Sequence, residues 1–264
     1  MTVPFYQIDA FAAARFQGNP AAVVLLDAWL TDAQLQAIAA ENNLSETAFL
    51  VPGESSEADY ELRWFTPTME VDLCGHATLA SGFVVLSDLP GDRDEVTFSS
   101  CSGRLAVARE GDLYTLDFPA NPPEPAEEQL DAVTAALGAR PETLQRGARF
   151  WLAVFERAET VAGLVPDMAA VAALGDGGVI ASAAGRDVDV VSRYFAPLAG
   201  IDEDPVTGSA HTVLTPYWSA RLGKAELRAR QISARGGELI CRLNGDRVAI
   251  GGRCQLVIEG RLHV

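Results

Sequence analysis

Cysteine and histidine are scarce in this sequence, and their scarcity excludes several protein classes at once. Four cysteines (Cys74, Cys101, Cys241, Cys254) are scattered through 264 residues with no C-x-x-C pair, so neither a disulfide framework nor a zinc knuckle fits. The three histidines are widely spaced and form no Cys/His cluster in the sequence, which argues against a structural metal. Basic residues are few as well: 20 Lys and Arg against 36 Asp and Glu leave a net charge of −16. A field of that sign repels phosphate backbones and anionic lipid, so no nucleic-acid partner and no membrane surface is expected; a local site can still take an anionic small molecule. No apolar run approaches the ~20 residues that span a bilayer. Residues 1–10 read as a strand and lack the basic and apolar regions of a signal peptide. A cytoplasmic, reducing setting is the expectation. Also missing are G-x-G-x-x-G, a Walker loop and H-E-x-x-H, and Thr207-Gly208-Ser209-Ala210 does not match the G-x-S-x-G elbow. Nucleotide, zinc-protease and serine-hydrolase readings have no support.

What is present is a globular composition, 48% apolar and 21% charged. Alternating residues predict strands at the N-terminus, at 21–26, 45–51, 61–65, 95–99, 104–109 and 114–118. Thr31 with Gln34 forms a capping box that predicts a helix to about Glu41, with Leu35, Ile38 and Ala39 inward and Asn42-Asn43 as its stop. The segment from Pro119 to Pro125 holds four prolines and reads as a linker. Beyond it, amphipathic spacing predicts helices at 126–137 and 166–174, and the tail from 239 onward alternates strands and turns. Strands and helices mix without regular β-α-β alternation, which favours an α+β fold with antiparallel-rich sheets. The domains are expected at 1–121 and 122–264, the last strand being free to cross back to the first.

An internal repeat is the most informative feature. Arg63, Phe65 and Pro67 match Arg193, Phe195 and Pro197 at a constant offset of 130, and Gly75-His76-Ala77 corresponds to Gly208-Ser209-Ala210 after a short insertion. The two copies flank the proline segment, which predicts duplicated domains related by a pseudo-twofold. In each, a proline-containing loop leads through a glycine into small residues and a helix, expected at 77–86 and 210–222. A glycine at a loop-to-helix junction lets a ligand approach free backbone N–H groups, and the helix dipole favours an anion there. Two such loops are expected to converge on one interdomain cleft that holds a carboxylate.

Polar candidates near these loops are His76, Asp72, Asp202, Glu203, Asp204 and Ser209. Taken singly, each has a plainer reading: His76 as a helix-start hydrogen bonder, Asp204 as a turn carboxylate, Ser209 as an N-cap. Cys74 by itself reads as a small buried hydrophobe. Glu46 stands at the start of a partly apolar strand directly after a helix. Facing a cleft, with Leu44, Ala48 and Phe49 excluding water, it would gain a raised pKa and serve as a base near neutral pH.

At these residues the chain resembles the PhzF-like family, the phenazine-biosynthesis-like isomerases. The motifs span nearly the whole chain: F-x-G-N-P-A-A-V from Phe16, N-L-S-E-T-A-F from Asn43, R-W-F-T-P from Arg63, L-C-G-H-A-T-L-A from Leu73, E-D-P-V-T-G-S-A-H from Glu203 and R-G-G-E-L from Arg235. The resemblance implies a diaminopimelate epimerase-like fold, with two similar α+β domains, each a curved, mostly antiparallel sheet around a central helix. It places the family's catalytic residues on Glu46, His76, Asp204 and Ser209, with substrate contacts at Asn19, Gly75, Ala77, Gly208 and Ala210. It further implies a small carboxylate-bearing substrate, no cofactor, no metal and a homodimer. Within this fold a two-cysteine racemase or epimerase is the alternative, but no cysteine occurs between Ser102 and Ile240 to pair with Cys74. A non-catalytic binding protein is the other alternative, and it would not need the intact acid/base set.

Overall fold

A computed structural model describes residues 1–264 except 54–56, 88, 90–92 and 176. The chain forms two compact units, one of residues 1–117 with 251–264 and one of residues 118–250. Among the described residues no helix is long and apolar enough to cross a membrane.

In the first unit the strand Thr2–Ala10 lies between Cys254–His263 and Asn19–Leu25, antiparallel to both. Asn19–Leu25 then pairs in parallel with Glu46–Pro52, Ala21 opposite Glu46, and Tyr60–Phe65 continues antiparallel. The parallel pair is joined through the helix Asp32–Asn42. Its capping box at Thr31 and Gln34 forms as the sequence predicts, and Asn43 closes it in the left-handed conformation at φ 49°. Asn tolerates that conformation because its short side chain costs little there.

Strand alternation divides the Glu46–Pro52 residues between two faces. Phe49 and Val51 join Val24, Leu35 and Phe65 in the core beneath the Asp32–Asn42 helix. Glu46 lies on the opposite face, toward the helix Gly75–Ser87, where its carboxylate meets His76. Phe49 therefore cannot shield Glu46 as the sequence reading supposed; of the residues named, Ala48 shares its face. The Gly75–Ser87 helix is apolar or small on all sides, and ten of its residues are buried, as a central helix requires. It packs against the strands Thr2–Ala10, Asn19–Leu25 and Glu46–Pro52. Gly82 permits the approach of a further strand: a Cβ there would lie 2.4 Å from Val107 Cγ1.

The second unit has the same ingredients. Phe150–Val154 pairs antiparallel with Thr143–Gly147 and parallel with Val179–Ala184. Val190–Ala196 then pairs antiparallel with Val179–Ala184 and parallel with Glu226–Gln231, and Gly237–Asn244 follows antiparallel. The helix Gly208–Leu222, with Pro216 inside it, packs on Phe150–Val154, Glu226–Gln231 and Gly237–Asn244. Short helices on the other face contribute Val133, Leu137, Val161 and Val171 to a separate core with Ala153, Val179 and Phe195. The helix expected at 126–137 begins with a single 3-10 turn and is α-helical only over Leu130–Leu137.

The repeat has a physical counterpart in both units. Arg63 makes a two-pronged ion pair with Glu70, both contacts at 2.7 Å, and lies over the Phe65 ring. Arg193 pairs in the same way with Glu203, at 2.7 and 2.8 Å, and lies over Phe195. Each guanidinium braces the strand before the proline loop against the segment returning from it. The proline-rich segment is itself pinned rather than loose. The Ala120 and Asn121 N–H groups donate to Asp246 and Thr212, and Glu124–Pro125 pairs with Gln145 and Arg146.

Candidate active site

The first-unit site is built where two parallel strands begin. Asn43 stops the preceding helix, two residues turn the chain, and Glu46 is the first residue of its strand. Asn19 opens the neighbouring strand. The Gly75–Ser87 helix starts two residues earlier than the sequence predicts, so His76 lies inside its first turn.

His76 is buried, and its Nε2 stands 3.2 Å from Glu46 Oε2. That separation suits an ion pair, but the angles are not those of a hydrogen bond, and Nε2 has no hydrogen-bond partner among the described residues. At Nδ1 the ring meets Asn19 Nδ2 at 3.2 Å and Cys74 Sγ at 3.5 Å. Ser45 Oγ donates to Asn19 Oδ1 at 3.2 Å. That bond turns the amide so that its NH₂ faces Nδ1. Burial pulls the His76 pKa down to about 3, opposed by the Pro20 carbonyl, so the ring is neutral near pH 7. The Glu46 side chain keeps 14% of its surface open. A carboxylate that a ligand can reach thus stands beside a neutral, oriented imidazole.

Asn19, expected to touch substrate, is fully buried and holds His76 in place. Gly75 and Ala77 form the first turn of the helix. Thr78 Oγ1 and its backbone N–H both return to the Cys74 carbonyl, which fixes that turn. Asp72, one of the polar candidates, is exposed.

In the second unit Asp204 is buried at the edge of a polar network. Thr207 Oγ1 donates to Asp204 Oδ2. Gln231, fully buried, donates from Nε2 to the Asp204 carbonyl at 2.7 Å and accepts the Thr207 N–H at 2.9 Å. Thr207 is the N-cap of the Gly208–Leu222 helix, yet its side chain does not cap it, because that hydroxyl is committed to Asp204. Ser209 is not the N-cap the sequence reading allowed for; it is the second helical residue, exposed, between buried Gly208 and Ala210. His211 donates from Nδ1 to the Thr207 carbonyl at 2.8 Å, and burial pulls its pKa down to about 4. Asp202 is exposed, and Glu203 is committed to Arg193.

Sequence reasoning missed Ser45, Thr207, His211 and Gln231. Thr207 and His211 lie within a quoted motif, so their position was visible and their hydrogen bonds were not. Gln231 had no signal, since a buried glutamine at a strand end looks like any other. The spacing argument against a metal also missed the grouping of Cys74 and His76 with Glu46, which arrives from a different strand.

The description "Phenazine biosynthesis-like protein" belongs to the family model that matches residues 8–260. A Pseudomonas aeruginosa protein named as an uncharacterized isomerase is 50% identical over 265 residues, covering all of both chains. The mouse phenazine biosynthesis-like domain-containing protein 1 is 42% identical over 289 residues, covering 99% of each. Among solved structures, a PhzF-family phenazine biosynthesis protein of Enterococcus faecalis superposes with a TM-score of 0.95 at 47% identity, covering 100% of each chain. A hydroxyproline epimerase from Agrobacterium vitis, at 12% identity and a TM-score of 0.62 over 99% of this chain and 92% of its own, shares the fold alone. The α+β architecture is that of the diaminopimelate epimerase-like fold, and the chain belongs to the phenazine biosynthesis-like family, with curated relatives that are named isomerases.

Proposed function

We propose that this protein is a cofactor-independent isomerase that moves a proton on a small carboxylate-bearing substrate, with Glu46 as the proton carrier. One observation carries the reading: a ligand-accessible Glu46 carboxylate stands 3.2 Å from a buried His76 whose ring is neutral. A charged histidine would neutralise the glutamate and hold it as a structural pair. A neutral one leaves the carboxylate its charge, which suits a group that must accept a proton and return it.

In this reading Glu46 takes a proton from a carbon made acidic by a neighbouring carboxylate or enol. The electron pair moves along the unsaturated system, and Glu46, whose carboxyl proton exchanges with solvent, returns a proton at another carbon, so atoms and charge balance without a second reactant. His76 stabilises the charge that develops. In the second unit, taken by itself, Asp204 is held by Thr207 and Gln231, and the N–H groups of Gly208–Ala210 open their helix without a side-chain cap, an arrangement that favours an anion there. The test is to incubate the protein in D₂O with a panel of small unsaturated and cyclic carboxylates and follow the carbon-bound protons by NMR. Exchange or isomerisation of one class supports the reading. A ligand that binds tightly and shows neither would replace it with a binding role.

A further inference from the structure

The strand Cys254–His263 forms an edge of the first unit's sheet. It pairs with Thr2–Ala10 on one side, and no strand pairs with its other side among the described residues. The pairing shifts register between Gln7 and Ile8, then runs regularly from Gln7 opposite Ile258 to Thr2 opposite His263. Over that run no residue of the edge strand makes a hydrogen bond or ion pair outside the pairing, again among the described residues. Such an edge presents a row of backbone N–H and C=O groups on which a further strand can form. Gly260 lies near its middle, and a Cβ built there would meet nothing within 4 Å.

Around Gly260 the sequence is complementary to itself. Ile258-Glu259-Gly260-Arg261-Leu262 carries an acid and a base on either side of the glycine, and an aliphatic residue beyond each. When two copies pair antiparallel about Gly260, Glu259 of each faces Arg261 of the other, and Ile258 faces Leu262. Alternation sets these two kinds of pair on opposite faces of the sheet. Leu262 lies opposite Val3 and Gly260 opposite Phe5, so Ile258 and Leu262 share the face that packs beneath the Asp32–Asn42 helix. Ile258 stands at the rim of that face, 47% exposed. Glu259 and Arg261 occupy the other face, both exposed and without an ion pair among the described residues. The register is unique, because moving its centre by one residue sets Glu259 or Arg261 against its own copy, and like charges directly opposite repel. Charges of one sign would be the simpler guard for an edge meant to stay free.

We propose that the strand Cys254–His263 pairs with the same strand of a second copy of this chain, antiparallel about a twofold axis at Gly260. The result is an isologous dimer in which the first unit's sheet continues into its copy. A second copy is the partner because the pattern of charge and aliphatic residues is complementary to itself. The net charge of −16 on each copy opposes association at low salt. At an ionic strength of about 0.15 M the Debye length is about 8 Å, so the distant repulsion is screened while charges in contact still attract. The proposal rests on the edge strand alone and stands independently of the isomerase reading.

The test is sedimentation velocity of the full-length protein at that ionic strength, across micromolar concentrations. The wild type should form dimers. Glu259→Arg alone, or Arg261→Glu alone, makes both symmetry-related pairs repulsive and should weaken self-association by at least ~10-fold. Mixing the two single variants sets every Arg opposite a Glu and should restore dimers, as should the double reversal Glu259→Arg with Arg261→Glu. Thermal unfolding of each variant checks that it is folded, and should one single reversal fail to fold, the other decides the matter alone. A wild type that stays monomeric, a folded single reversal that dimerises as the wild type does, or a mixture of the two that stays monomeric would overturn the proposal.

Discussion

Lowering the pH should destabilise this protein well before its carboxylates titrate, because two of its histidines are buried without charge. His76 and His211 titrate near 6.5 when unfolded, and burial holds them at about 3 and about 4 in the fold. A folded-state pKa below the unfolded value means that the unfolded chain binds protons first. Stability from these groups is therefore present above pH 6.5 and is lost as the pH falls from there toward the folded values. For His211, linkage gives a loss of about 2 kcal/mol between pH 7 and pH 5, with a similar amount for His76. His211→Asn isolates the effect, since an amide NH₂ can replace the Nδ1–H donated to the Thr207 carbonyl while removing the titration. Urea unfolding of both proteins at pH 7, 6 and 5 reads the difference directly. The wild type should lose about 2 kcal/mol more than the variant over that span. Parallel curves would show that His211 is charged in the native state and would refute the reasoning.

Two further outcomes follow from named contacts. Gln231→Leu orphans the Thr207 N–H and the Asp204 carbonyl, and at about 1–3 kcal/mol for each buried group it should lower the thermal midpoint by several degrees. Arg193→Met should cost about 3 kcal/mol in urea unfolding, against about 1 kcal/mol for Arg63→Met. The Arg193–Glu203 pair is the more buried and also serves the Leu164 carbonyl, whereas Arg63 is half-buried and its partners Asp32 and Glu70 are exposed. Equal losses would mean that burial does not set the worth of these pairs.

The part of this molecule that is local was legible in the sequence. The Thr31 capping box, the Asn43 stop and the strand from Glu46 follow from short-range patterning, and the repeat announced two related units. The proline count marked a segment near the unit boundary, but hydrogen bonds from Ala120 and Asn121 to residues about a hundred positions away are not encoded in composition. The same limit applies to the site. Glu46, His76, Asp204 and Ser209 were found through motifs, yet nothing in the motifs says that Asn19 faces His76 instead of solvent. Phe49 was misassigned for a simple reason: with a period of two, the residue three positions along a strand from Glu46 lies on the other face.

The central claim is that Glu46 carries the proton, and one comparison tests it most directly. Glu46→Gln keeps the size and the hydrogen-bonding capacity of the side chain and removes its basicity. With a confirmed carboxylate ligand in D₂O, wild type and variant should bind alike, while deuterium incorporation at the ligand's carbon falls by at least ~10²–10⁴-fold in the variant. Equal incorporation in both proteins would contradict the account and place the base elsewhere, with Asp204 the first residue to examine.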